Sequence, residues 1–289
     1  MGTRLHNTSD KARRGVIYVA FGRPYLAMAL HSRISLAKTN PGLPACIVTN
    51  IQVEKSQLPM LEDGDSVITL DADVAKNRSL KTSILDFTPF KETIFLDCDT
   101  VVMGSLEKGF EYLRYFDICA RLNPYPQTRR GKSDIQILDG LEVGDCPHWN
   151  SGVLIFRKSD GARRFFCEWG ENFHALQNSY DQVSLTKTVF ESSARFLSLD
   201  RRWNATDPFI GRRAWRRSAK VFHYATNVSD RLLKEVGSID HDYLTVSLGG
   251  GDNIARDMLL EKRRTKKDEH GIVKYLLFLA IWKLSSATR

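Results

Sequence analysis

Two aspartates separated by a single residue, Asp97 and Asp99 in FLDCDTVV (95–102), close an unbroken apolar run. Side chains of an extended strand alternate faces, so if the strand continues the two carboxylates project to one side while Cys98 points back into the protein. Two carboxylates so close repel unless a cation lies between them. Hard oxygen ligands suit Mg²⁺, Mn²⁺ or Ca²⁺, which keep further coordination positions for water or for the phosphates of a substrate. The pair therefore implies a divalent metal and, with it, a diphosphate. The plainer alternative is turn chemistry, in which one aspartate caps a following turn and the other pairs with a lysine. A bare D-x-D is common by chance, so the surrounding elements must decide.

Those elements read as alternating strands and helices. GVIYVAF (15–21) is a β-branched and aromatic run ending at Gly22, and the apolar pattern from Tyr25 to Leu36 suits a helix. ACIVT (45–49), SVITL (66–70) and TIFLD (93–97) are further strands, and Leu80 to Phe87 is a short helix stopped before Pro89. DICARL (117–122) and SGVLIF (151–156) continue the sheet, and GARRFFCEWGENFHAL (161–176) is an amphipathic helix. Strands apolar on both faces are those of a buried, mostly parallel sheet, and the alternation predicts an open α/β sheet covered by helices. Such sheets bind ligands outside the carboxyl ends of their strands, which is where Asp97 and Asp99 fall. The stretch 123–147 is rich in turn residues and is expected to leave the sheet as an excursion; long ordered loops are often functional.

Composition excludes several classes. A chain of 289 residues, 42% hydrophobic, has enough apolar material for a sizeable core. Its 42 basic against 34 acidic residues give a net charge of +8, which favours anionic partners without choosing among them. Cys46, Cys98, Cys119, Cys146 and Cys167 are odd in number and lack C-x-x-C spacing, so neither a disulfide framework nor a structural zinc site is indicated, and a cytoplasmic setting is expected. The basic N-terminus, 1–14, has no apolar segment of the signal-peptide kind and is expected to be flexible. Matches to N-x-S/T at Asn7, Asn77, Asn204 and Asn227 have no secretory context. In the tail, 251–289, a cationic run precedes the apolar segment from Ile272 to Leu284, about 13 residues against the ~20 that span a bilayer. Basic residues beside Tyr275, Phe278 and Trp282 suit peripheral contact with an anionic membrane, and packing on the body suits the segment equally.

LKTSILDFTPFKETIFLDCDTVVMGSLEKGF resembles the donor-binding core of retaining glycosyltransferases of family eight, the glycogenin and lipopolysaccharide galactosyltransferase type. Lys81 precedes Asp97 by sixteen residues, and further matches follow in order: WNSGVLIF at 149–156, the pair Asp181 and Gln182 opening a helix, and VFHY around His223. The resemblance runs from about Gly15 to His223. It implies a GT-A fold over 15–250, a nucleotide-diphospho-sugar transferase that moves a hexose from UDP-sugar with retention, and Mn²⁺ or Mg²⁺ as cofactor. Asp97, Asp99 and His223 would ligate the metal, and Lys81 would add positive charge near the donor. Asn150 and Gln182 would contact donor-sugar hydroxyls, Ser151 would belong to the donor-binding set, and Asp181, catalytic with Gln182, would stand by the anomeric carbon or orient the sugar. Phe21, Gly22 and Asn50 are candidates for the uridine pocket. The acceptor would be a carbohydrate, glycolipid or protein, with no nucleic acid involved.

Departures from the pattern are equally plain. The family's lysine after the histidine is absent, Thr226 and Ser229 standing in HYATNVS. Arg212, Arg213, Arg216 and Arg217 lie just upstream and could substitute, or could form a basic surface. Leu85 stands where many members carry tryptophan. Outside the resemblance, Asn150 reads as a turn residue and Asp181 as a helix N-cap. A sugar nucleotidylyltransferase would share the fold class, but FGRPY after the first strand is not a G-x-G-T-R loop. A non-catalytic membrane- or nucleic-acid-binding protein would explain the charge but not the acidic residues.

Overall fold

The computed structural model describes residues 13–58, 60–73, 77–126, 134–177, 181–205 and 219–223. The tail and the arginines at 212–217 lie outside these residues, as do Thr226 and Ser229.

Strand β1 (Arg14–Val19) is buried on both faces. Val16, Tyr18 and Ala20 enter one apolar layer, Ile17, Val19 and Phe21 the other, as alternation requires. Gly22 follows at φ 90°, a left-handed conformation that costs a glycine nothing, and the chain turns into α1 (Arg23–Thr39). Leu26, Leu30 and Leu36 of α1 close the first layer. The remaining strands of the main sheet are β2 (Ala45–Thr49), β3 (Ser66–Thr69), β4 (Glu92–Leu96), β6 (Ile118–Pro126), β9 (Pro147–Arg157) and β10 (Phe196–Leu199). They stand in the order β10-β6-β9-β4-β1-β2-β3, and β9 alone runs against its neighbours.

The second layer is covered by α5 (Asp160–Ala175) and α6 (Asp181–Glu191), with α2 (Asn77–Lys81) and α3 (Ile84–Phe87). Ser159 caps α5 by accepting from the Ala162 N–H, and Phe165, Phe166 and Trp169 form the apolar stripe, each burial stabilising by roughly 1.5–3 kcal/mol. The helix expected over 80–87 is two pieces. Thr82 and Ser83 bond back to the carbonyls of Ser79 and Leu80, local bonding by which hydroxyl residues compete with the helix ladder. Leu85 is buried in this layer. The short helix α4 (Glu107–Tyr112) places Phe110 in the first layer.

Two small sheets flank this body. β5 (Thr100–Val102) pairs antiparallel with β11 (Val221–His223). β7 (Gln136–Leu138) and β8 (Leu141–Glu142) form a hairpin followed by a 3-10 turn at Val143–Asp145. The excursion expected over 123–147 is narrower: 123–126 belong to β6 and Pro147 opens β9, paired in the main sheet, while Ile137, Val143 and Cys146 pack with Val183 of α6 in a separate apolar cluster. Among the described residues, no helix is long and apolar enough to cross a membrane.

Candidate active site

Strand β4 ends at Leu96, one residue before the first aspartate, so Asp97, Cys98 and Asp99 form the turn into β5. Thr100 Oγ1 donates to the Asp97 carbonyl at 2.7 Å and closes that turn. Cys98 is buried and its thiol donates to the Val19 carbonyl of β1 at 3.1 Å. The strand thus does not continue through the pair, yet the geometry inferred from alternation persists: sulfur inward, both carboxylates outward.

Pairing between β5 and β11 sets His223 opposite Thr100. His223 Nε2 lies 3.1 Å from Asp99 Oδ1 and 3.8 Å from Asp97 Oδ2. One ligand atom from each of Asp97, Asp99 and His223 falls within 4.8 Å of the others, the only such group of three among the described residues. Two hard oxygens and a borderline nitrogen suit Mn²⁺ or Mg²⁺. Gly152, on β9, makes room for the group: a Cβ there would lie 2.5 Å from His223 Cε1 and 2.9 Å from Asp97 Oδ2. The residues present fit a divalent cation.

The antiparallel pairing of β4 with β9 brings the second half of the site. Asp97 donates its backbone N–H to the Gly152 carbonyl at 2.8 Å, so Asn150 and Ser151 stand beside the carboxylates. Ser151 Oγ donates to Asp181 Oδ2 at 2.8 Å. Asp181 opens α6, and its carbonyl accepts from Trp169 Nε1 at 3.1 Å, which ties the helix start to α5. Gln182 follows, partly buried. Lys81, the last residue of α2, spans the halves with Nζ at 2.7 Å from Asp97 Oδ1 and 3.4 Å from Asp181 Oδ2. The turn-chemistry alternative is thereby met in part, since Asp97 does pair with a lysine, but in company that turn chemistry does not need.

Burial dominates the titration of this cluster and the charges answer it. Burial opposes the Lys81 ammonium, but Asp97 and Asp181 outweigh it and hold Lys81 above its ordinary value. Asp97 is pushed up by burial more than Lys81 and His223 bring it down. Asp181 is buried too, yet Lys81, the Ser151 bond and Arg78 hold it below the usual carboxylate range and so ionised. His223 would be lowered by burial, but Asp99 and Asp97 raise it.

The uridine-pocket candidates lie on the same edge. Phe21 is fully buried, its ring in the second layer. Asn50 Oδ1 accepts from the Gly22 N–H at 2.7 Å and Asn50 Nδ2 donates to the Ala72 carbonyl at 3.0 Å, bracing the ends of β1, β2 and β3. Tyr25, read from sequence only as the start of a helix, packs partly buried against the first layer, and its hydroxyl is raised by burial and then by Cys98 and Asp99. Asn204 was missed altogether. Its only signal in the sequence was an N-x-S/T match, but it is fully buried against Asn150 and His223, which bars a glycan in the folded protein.

No protein-family model matches the chain, and no curated protein matches it. Solved structures do. The bifunctional glycosyltransferase WbbM superposes with a TM-score of 0.58 at 16% identity, covering 87% of this chain and 52% of that one. The galactosyltransferase LgtC, in complex with donor and acceptor sugar analogues, gives 0.53 at 16% identity, covering 82% and 95%. The glycosyltransferase GlyE of Streptococcus pneumoniae TIGR4 gives 0.51 at 17%, and this chain spans 62% of its length. At these identities the likeness is one of fold: the seven-stranded, mostly parallel sheet with helices on both faces is the GT-A fold expected from sequence.

Proposed function

We propose that this chain is a metal-dependent glycosyltransferase that moves a hexose from a UDP-sugar to a carbohydrate, glycolipid or protein hydroxyl with retention, in the manner of family eight. One observation carries the reading: Asp97, Asp99 and His223, from two separate segments, converge within 4.8 Å at the carboxyl edge of a GT-A sheet, with Lys81 and Asp181 alongside. LgtC, similar in fold, has been seen with donor and acceptor sugar analogues.

The three residues would hold Mn²⁺ or Mg²⁺, which when bound supplies Lewis-acid stabilisation of negative charge on a departing diphosphate. Lys81 adds a fixed positive charge on the same side, where charge develops in the transition state. Asn150 accepts two internal bonds at Oδ1, which leaves its Nδ2 amide to donate to a sugar hydroxyl. Gln182 offers a second polar contact. Asp181, kept ionised against burial by Lys81 and oriented by Ser151, stabilises positive charge at the anomeric carbon. With retention, acceptor attack and UDP departure share one face of the sugar. Phe21, Gly22 and Asn50, which braces the ends of β1, β2 and β3, are the candidates for the nucleoside end. The basic, aromatic tail would add peripheral contact with an anionic membrane on the cytoplasmic side.

The test is UDP binding by calorimetry with and without Mn²⁺, together with UDP release from a panel of UDP-sugars. Asp99→Ala is expected to abolish metal-dependent UDP binding. Asp181→Asn is expected to keep binding and lose roughly 10²–10³-fold in turnover, the scale for one electrostatic group in an active site. No UDP release from any donor, together with no Mn²⁺-dependent UDP binding, would sink the proposal.

A further inference from the structure

The buried amides behind the carboxylates form a chain whose polarity can be assigned atom by atom. A backbone N–H can only donate, and the Gly152 N–H points at the side-chain oxygen of Asn150 at 2.8 Å. That atom is therefore Oδ1, an acceptor. The group of Asn204 facing the same oxygen at 2.7 Å must then be its donor, Nδ2. The other end of the Asn204 amide is Oδ1, and it lies 3.0 Å from His223 Nδ1. Only a hydrogen on Nδ1 satisfies that contact. In a neutral ring Nε2 then carries the lone pair, and Nε2 is the atom facing Asp99 at 3.1 Å.

Backbone pairing holds this arrangement in place. Ala205, next to Asn204, bridges Phe222; its N–H donates to the Val221 carbonyl at 2.9 Å and its carbonyl accepts from the His223 N–H at 2.8 Å. Asn204 is fully buried, and Asn150 and His223 nearly so, so water does not compete for these bonds.

We infer that Asn204 is a positioning residue: it fixes His223 as the Nδ1–H tautomer, presents the Nε2 lone pair to the Asp97–Asp99 pair, and with its other end holds the Asn150 oxygen. The inference rests on reading Asp97, Asp99 and His223 as a cation site. It adds a physical link between the metal end and the sugar end of that site, since one amide orients a residue of each. Partners that orient a ligating histidine typically matter 10–100-fold for metal affinity.

Two measurements test it. In the metal-free full-length protein, long-range ¹H–¹⁵N NMR of His223, assigned by His223→Gln and recorded above its titration, should show the Nδ1–H pattern. An Nε2–H ring, the form favoured by free histidine in water, would overturn the inference whether or not the protein binds metal. In the second, Mn²⁺ affinity is measured by calorimetry for wild type, Asn204→Leu and Asn204→Asp, with thermal melts to show that each is folded. Asn204→Leu should bind about 10–100-fold more weakly. Asn204→Asp still offers an acceptor to Nδ1–H and should keep Mn²⁺ affinity within about threefold of wild type, although it loses the donor to Asn150. A merely structural role predicts that both substitutions in this buried position damage binding alike, and that result, or unchanged affinity in folded Asn204→Leu, would overturn the assignment. Wild type that binds no Mn²⁺ would remove the functional reading, while the tautomer measurement would still decide the orientation of His223.

Discussion

Replacing Lys81 by methionine keeps the length of the side chain and removes its charge. The ammonium lies 2.7 Å from Asp97 and 3.4 Å from Asp181, gross attractions of about 6 and 5 kcal/mol at an effective dielectric of ~20. Desolvation of all three groups offsets most of that, and their side chains keep 13–19% of their exposure. The net loss expected is about 3 kcal/mol, the lower end for removing one partner of a buried pair, or roughly 5–10 °C in melting temperature for a chain of this size. The loss should depend on conditions in a way that lost packing would not. Added Mn²⁺ should restore part of it, because a cation held by Asp97, Asp99 and His223 supplies positive charge to Asp97 in place of the lost ammonium. Mn²⁺ alone should bind the variant more tightly than wild type, since Lys81 no longer holds Asp97 Oδ1, while turnover with donor falls. The pH sign follows from Asp181, whose value Lys81 lowers: such a group contributes stability above its unfolded value that is lost as pH falls through the folded one. The gap between wild type and Lys81→Met should therefore be full at neutral pH and narrow under acid. Melting curves at pH 4, 6 and 8, in EDTA and in Mn²⁺, give the answer. Equal destabilisation in all six conditions would refute charge compensation as the role of Lys81.

Two further substitutions probe the support of the site. Gly152→Ala places a Cβ 2.5 Å from His223 Cε1; it should cost about 1–3 kcal/mol by overpacking and weaken Mn²⁺ binding roughly 10–100-fold, so a Mn²⁺ titration at wild-type affinity would contradict the geometry. At the opposite edge of the sheet, Asp117 accepts from Ser159 at 2.8 Å and pairs with Arg157 and Arg195, each at 3.1 Å. Burial resists its ionisation, but these bonds outweigh burial and hold it well below the usual carboxylate range. Asp117→Asn should cost about 2–3 kcal/mol, in full at neutral pH and shrinking only in strong acid, as chemical denaturation across pH would show, with Mn²⁺ affinity unchanged.

The sheet was legible because its strands are buried on both faces and therefore unbroken apolar runs. GVIYVAF, ACIVT, SVITL and TIFLD all lie in β1 to β4 within a residue or two of the expected ends. The aspartate pair was legible for the same reason, standing where an apolar run stops. Strand direction was not: SGVLIF lies in β9, which runs against its neighbours, and nothing in an apolar run encodes direction. The place of His223 was suggested by resemblance alone, since β11 has only three residues, too few for a period. Asn204 carried no usable signal, because an amide's role depends on which neighbours the fold supplies.

A second directional chain shows why the aspartate turn has this shape before any ligand is bound. Thr100 Oγ1 spends its hydrogen on the Asp97 carbonyl at 2.7 Å, so it must accept from Ser32 Oγ at 2.9 Å. Ser32 has then used its own hydrogen and must accept from the Tyr18 hydroxyl at 3.2 Å. Burial holds Tyr18 far above the ordinary phenol value, so the proton that starts the chain stays in place. The polarity runs from Tyr18 in β1, through Ser32 of α1 and Thr100 of β5, to the turn. The other chain runs from the Gly152 N–H through Asn150 and Asn204 to His223. Each is fixed by a group with only one role, the Gly152 N–H at the start of one and the Asp97 carbonyl at the end of the other, and each runs through buried side chains to a residue of the metal group. Charges that repel one another are thus held by uncharged buried groups as well as by the Lys81 ion pairs. That is the condition for a site whose geometry is already formed when its cation arrives, with little reorganisation left to do.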